Sequence, residues 1–90
     1  MPSTPNPLAV TLYTSPGCPD CAAVRTWLER HHVPYSERDV SRPAVADEAK
    51  QRYGVRIAPI TVVDESTFFY GTFEEQRPRL AEALLPPGAG

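Results

Sequence analysis

The 90-residue chain contains no apolar run approaching the ~20 residues that cross a bilayer, and it has only two cysteines. It also has no stretch that repeats and no stripe of basic side chains. Nine Lys and Arg against eleven Asp and Glu leave a net charge of −2, which argues against nucleic acid or an anionic membrane as the main partner. The first residues lack the basic and apolar regions of a secretory signal, so a cytoplasmic setting is expected. In that reducing compartment two cysteines separated by two residues are redox-active or metal-binding rather than a structural staple. A chain of this length supports one domain with one core, burying roughly 60–65% of the surface its unfolded form exposes.

Proline, by contrast, is plentiful. Three prolines among Ser, Thr and Asn in Met1–Pro7 cannot form a packed element, so residues 1–7 are expected to be a disordered leader. Pro86-Pro87-Gly88-Ala89-Gly90 reads as a frayed tail, which leaves residues 8–85 as the folded domain. Leu8–Tyr13 is nearly continuously apolar, as a strand covered on both faces would be. Ser15-Pro16-Gly17 turns the chain, and Ala22–His31 follows with an apolar stripe at Cys21, Val24, Leu28 and His31, opposite Arg25, Glu29 and Arg30. Tyr35–Val40 alternates polar residues, as at a sheet edge. Ser41 is the candidate N-cap of a second helix, striped by Ala46, Ala49 and Tyr53 and stopped by Gly54. Ile60–Asp64 and Thr67–Tyr70 read as a β-hairpin. Thr72 and Glu75 fit a capping box, yet Pro78 would then lie inside the helix, so the last helix is expected to begin between Glu74 and Arg77. The order is β-α-β-α-β-β-α, an α/β pattern. Helical crossovers predict that its first three strands are parallel, with an antiparallel closing hairpin.

Cys18-Pro19-Asp20-Cys21 sits where the first strand hands over to the first helix. Pro19 suits the first helical position, so Cys18 falls at a helix N-terminus, where unpaired N–H groups and the dipole favour the thiolate that attacks disulfides. Cys21 is one turn further on, close enough to resolve a mixed disulfide. Asp20 acts against the thiolate: a carboxylate roughly 7 Å away at a dielectric of about 40 costs on the order of 1 kcal/mol, comparable to the ~0.3–2 kcal/mol from the helix terminus. A strand, a Cys-x-x-Cys helix start and a βα pattern together read as a thioredoxin-like fold.

Over roughly Leu8 to Leu85 the chain resembles the glutaredoxins and glutaredoxin-like redoxins. The resemblance rests on Leu12-Tyr13-Thr14 leading through Pro16 into the Cys18–Cys21 motif, on Tyr53-Gly54-Val55, on Ala58-Pro59-Ile60, and on Gly71 before the last helix. It implies a four-stranded mixed sheet in a thioredoxin-like fold and a thiol–disulfide oxidoreductase with Cys18 as nucleophile and Cys21 as resolving thiol. It also implies a cis Pro59 beside the pair, with Ala58 offering its backbone to an extended substrate. Substrate or glutathione contacts are expected at Tyr13, Pro19, Asp20, Arg56, Ala58, Pro59, Gly71 and Thr72. No bound cofactor or metal is expected, with glutathione as a possible electron donor and a monomer as the working state. Two departures are visible. Ser15 stands in the region where glutathione-using members carry a basic residue, and Tyr70-Gly71-Thr72-Phe73-Glu74-Glu75 replaces a Gly-Gly-x-Asp type segment. The second resembles redoxins that take electrons from thioredoxin reductase and pass them to ribonucleotide reductase. Two other classes compete. One is a metal site built from Cys18, Cys21, His31 and His32, disfavoured because adjacent helical histidines diverge by about 100°. The other is an interaction module whose cysteines are incidental.

Overall fold

The computed structural model describes residues 9–55, 57–64 and 67–85. Its elements run β1 (Val10–Thr14), α1 (Pro19–Arg30), β2 (Ser36–Asp39), α2 (Pro43–Tyr53), β3 (Ile60–Val63), β4 (Thr67–Tyr70) and α3 (Phe73–Leu84). They form a four-stranded mixed sheet in the order β2-β1-β3-β4, a thioredoxin-like α/β fold. The expected leader, the expected tail, Leu8 and Arg56 lie outside the described residues. No described helix is long and apolar enough to cross a membrane.

The period of a strand divides the core in two. Val10 and Leu12 point to one face, where they pack with Val24, Trp27 and Leu28 of α1 and Leu80 of α3. Tyr13, Ile60 and Val62 point to the other, against Val45 and Ala49 of α2. Each fully buried aliphatic side chain contributes about 1.5–3 kcal/mol, so α1 is fastened to the sheet along its whole length rather than by its cysteines.

One expectation about strand direction is overturned. β1 and β2 are parallel, but β3 runs antiparallel to β1, with Tyr13 opposite Ile60 and Val10 opposite Val63. The rule that a helix between two strands makes them parallel assumes a short loop from helix to strand. Six residues, 54–59, separate α2 from β3, and an extended stretch of that length reaches about 20 Å, enough to carry the chain back along the sheet before it enters β3. The hairpin β3–β4 is antiparallel as expected, with Ile60 opposite Tyr70.

Element ends also differ from the sequence reading. α1 begins at Pro19 with Cys18 as its N-cap, as expected, but its apolar stripe stops at Leu28. His31 is exposed as the helix's C-cap, its ring 4.4 Å from that of Trp27. Ser41 does not cap α2. Arg42 is the N-cap, with Pro43 at the helix start, while the Ser41 amide donates to Asp39 Oδ1 at 2.8 Å. Gly54 ends α2 in the left-handed region at φ 71°, as expected.

α3 starts at Phe73, before the expected window, and keeps Pro78 inside. The Thr72 hydroxyl accepts from the Glu75 amide at 3.2 Å, and Glu75 Oε1 accepts from the Thr72 amide at 2.8 Å. This capping box stabilises a start that proline alone argues against, and the carbonyl that Pro78 leaves without a donor belongs to the exposed Glu74.

Register places the site. Thr14 ends β1, Ile60 begins β3 and Tyr70 ends β4, and pairing sets them at one end of the sheet. The segments Ser15–Cys18, Ala58–Pro59 and Gly71–Thr72 therefore emerge together, beside the N-termini of α1 and α3.

Candidate active site

Cys18 is the N-cap of α1, with extended backbone at φ −95° and ψ 110°. Its Sγ accepts the Cys21 amide hydrogen at 3.1 Å. The sulfur thus receives an otherwise orphan amide hydrogen at the positive end of the helix dipole. Cys18 is half-buried in an open pocket of about 460 Å³ lined by Ser15, Pro16, Gly17, Pro19, Ala22 and Arg25. Both cysteines are free thiols.

Cys21 is the opposite case. Only 1% of its surface is exposed. Burial first, and then the hydrogen bond with Cys18, push its thiol up to about 11, partly opposed by hydrogen bonding from Ser15. The outer sulfur is thus reachable and accepts one amide hydrogen, while the inner one keeps its proton at neutral pH.

Asp20 does more than sit near the sulfur. Its Oδ1 accepts the Phe73 amide hydrogen at 3.1 Å, joining the first turn of α1 to the first turn of α3 across the end of the sheet. The carboxylate therefore serves two helix N-termini, both of which favour negative charge.

Among the other expected contact residues, Pro19 lines the Cys18 pocket. The Ala58–Pro59 bond is cis, with Pro59 buried and Ala58 half-buried. Gly71 has φ 111°, and a Cβ there would run into the Glu75 carboxylate. Thr72 is spent on the capping box. Tyr13 is not brought to the cysteines: its ring lies in the α2-side core, edge-on to Tyr53, and its hydroxyl donates to Glu48 Oε2 at 2.5 Å. Burial and Glu48 raise that phenol well above its usual range. The residue before Thr14 points away from the face that α1 covers, so nearness in sequence to Cys18 misleads.

The four residues of the metal reading do not converge. His31 and His32 follow the C-terminal end of α1, about 20 Å from Cys18 by helix rise. Among the described residues no group of three or more His, Cys, Asp or Glu is arranged to hold a metal ion.

Arg25, read from the sequence as an outward-facing residue, is the charged side chain of the Cys18 pocket. Its guanidinium forks onto Glu37 of β2, Nε to Oε1 at 3.2 Å and Nη2 to Oε2 at 2.8 Å, and the Thr14 hydroxyl donates to the same carboxylate at 2.9 Å. Arg25 holds the Glu37 carboxyl below its ordinary value, and Glu37 in turn raises Arg25. The signal was present in the spacing: Arg25 is one turn beyond Cys21.

Comparison with known proteins agrees with this geometry. The glutaredoxin family model matches residues 10–68. The crystal structure of the thioredoxin-like protein BC3987 is similar with a TM-score of 0.69 at 29% identity, covering 79% of this chain and 97% of that one. The glutaredoxin-like protein NrdH-redoxin from Escherichia coli is similar with a TM-score of 0.68 at 26% identity, covering 87% and 96% respectively. The global transcriptional regulator Spx of Bacillus subtilis is 54% identical over 43 residues, which make up 47% of this chain and 33% of that protein. The match therefore spans about a third of the curated relative's length. With the family model covering well over half of its length, the chain belongs to the glutaredoxin family.

Proposed function

We propose that the chain is a thiol–disulfide oxidoreductase that reduces protein disulfides or glutathione mixed disulfides through Cys18 and Cys21. The observation that carries this reading is the pairing of an accessible Cys18 Sγ, hydrogen-bonded by the Cys21 amide, with a Cys21 thiol buried directly beneath it. The Cys18 thiolate attacks one sulfur of the substrate disulfide. A Cys18–substrate bond forms, and the departing sulfur leaves as a thiolate that takes a proton. Cys21 then gives up its proton and attacks Cys18 Sγ. The Cys18–Cys21 disulfide forms and the second substrate thiol is released. Alternatively a glutathione thiolate attacks the outer sulfur of the mixed disulfide, which breaks the bond to Cys18 and returns it as a thiolate. The Cys18–Cys21 disulfide of the first route is restored by two electrons from two external thiols or one dithiol.

A second reading concerns the electron source. A redoxin reduced by thioredoxin reductase, and donating to ribonucleotide reductase, is supported by the likeness to NrdH-redoxin, whose activity profile is described as thioredoxin-like. It is also supported by the use of Glu75 and Thr72 as a helix cap, which leaves those groups occupied where a glutathione carboxylate would dock. Arg56, the other candidate for such a carboxylate, falls outside the described residues.

A coupled assay tests both readings. NADPH consumption with glutathione and its reductase is set against NADPH with thioredoxin reductase, on the same disulfide substrate. Turnover lost in Cys18→Ser and retained in Cys21→Ser on a glutathionylated substrate supports the glutathione route. Absence of turnover with either reductant overturns the oxidoreductase reading. It would then favour the interaction module, for which the local likeness to the regulator Spx is the supporting observation.

A further inference from the structure

Gln76 occupies a core position of α3, one turn before Leu80 and on the same sheet-facing side, and only 1% of its surface is exposed. An apolar side chain would fill that place without burying an amide, which is costly unless every polar atom finds a partner. Here every one does. Oε1 accepts from the Thr61 hydroxyl at 2.7 Å, and Nε2 donates to the carbonyls of Pro59 and Gly71, both at 3.0 Å.

The two carbonyls belong together for a reason written in the sheet register. The β3–β4 pairing runs from Val63–Thr67 to Ile60–Tyr70 and stops there. The next pair in the antiparallel ladder would be Pro59 with Gly71, and Pro59 has no N–H to contribute. The Gln76 amide supplies from the side the donor that Pro59 lacks, and it binds the Pro59 carbonyl as well. It ties the last residue before β3 to the first residue after β4, one step past the end of the ladder.

The Ser15–Cys18, Ala58–Pro59 and Gly71–Thr72 segments leave the same end of the sheet, so those two residues stand on the side of the Cys18 pocket that its own lining residues do not close. We propose that Gln76 is a positioning residue that fixes the distance between the Pro59 and Gly71 segments, and so the alignment of an incoming disulfide on Cys18 Sγ. Gln76 touches neither sulfur and acts only through these backbone segments. The inference rests on the oxidoreductase reading and adds to it the group that shapes the substrate cleft.

Gln76→Glu is the direct test. The carboxyl has the amide's shape and still accepts from Thr61, but burial between two carbonyls keeps it protonated, so it offers one donor where the amide offers two. Steady-state reduction of a disulfide-bonded peptide is followed alongside the rate of Cys18 alkylation by iodoacetamide, a small reagent that needs no aligned cleft. The expected result is a rise in KM of about tenfold, the loss of roughly one hydrogen bond's worth of alignment, with alkylation within about twofold of wild type. Thr61→Val leaves both Nε2 bonds in place and should keep KM within about twofold. If Gln76→Glu fails to melt cooperatively, the double variant Thr61→Val Gln76→Leu, which leaves no side-chain polar atom orphaned, replaces it with the same expected rise in KM. An unchanged KM in a folded variant overturns the inference while the oxidoreductase reading stands. So does a fall in alkylation parallel to the rise in KM. Inactivity of the wild-type chain on every disulfide removes the oxidoreductase reading first and this inference with it.

Discussion

The amide nitrogen of Cys21 lies 3.1 Å from the sulfur of Cys18, so the residue expected to close the disulfide also donates, through its backbone, to the sulfur expected to open it. One helical turn thus sets both roles. The side chain of Cys21 is buried and its amide faces the mouth, which separates two chemically identical groups by position alone.

That separation predicts sequential modification. Iodoacetamide at pH 7 should label Cys18 alone, and Cys21 should label only as pH approaches the alkaline value of about 11 to which burial and Cys18 push it. Mass spectrometry of the alkylated chain checks this; equal labelling at pH 7 would contradict the buried thiol. The same shift bears on stability. The unfolded thiol ionises near its ordinary value of 9.0 and the folded one near 11, so between these the unfolded chain binds fewer protons and stability falls as pH rises. Cys21→Ser should flatten that alkaline decline.

The contact between Asp20 Oδ1 and the Phe73 amide predicts a stability effect distinct from any charge effect on sulfur. Asp20→Ala removes an acceptor from the start of α3 and should cost about 1 kcal/mol, a drop in Tm of roughly 4–8 °C for a domain of this size. Asp20→Asn keeps an acceptor and should lose less than half of that. Equal losses in the two variants would mean that the bond contributes nothing.

Gly71 combines two constraints, a φ of 111° and a neighbouring Glu75 carboxylate that occupies the space of a Cβ. Gly71→Ala should therefore cost about 1–3 kcal/mol. Adding Glu75→Ala removes the collision and leaves the backbone strain. The double variant should then be less unstable than the sum of the two single ones, as chemical denaturation can measure.

The Cys18 helix start was legible because its signals are local: Pro19 fixes the first turn, the turn residues Ser15 to Gly17 precede it, and an apolar run leads in. Gly54, the β3–β4 hairpin and the edge position of β2 were legible for the same reason. Strand direction was not, because the length of the 54–59 connection does not say which way it runs. Tyr13 was misplaced because one residue's difference in register sends a side chain to the opposite face. Gln76 was missed because Pro78 concealed where α3 begins. Once the helix starts at Phe73, a glutamine one turn before Leu80 and a lone threonine among the apolar residues of β3 become visible as a buried pair.

Arg25 and Glu37 form a half-exposed pair beside the Cys18 pocket, with side-chain exposures of 36% and 37%, so their bond should contribute no more than about 1 kcal/mol to stability. Because Arg25 holds the Glu37 carboxyl below its ordinary value, that small contribution is present above the unfolded carboxylate's titration and is lost as pH falls through the folded one. The consequence for substrate is larger, since Arg25 is the charged side chain lining that pocket. Arg25→Ala should leave Tm within a few degrees of wild type. It should lower kcat/KM about three- to tenfold for a disulfide flanked by carboxylates, and less for the same disulfide flanked by amides. The difference between the two substrates should shrink as added salt screens the charge. Equal losses on both substrates would show that Arg25 shapes the pocket without reading charge.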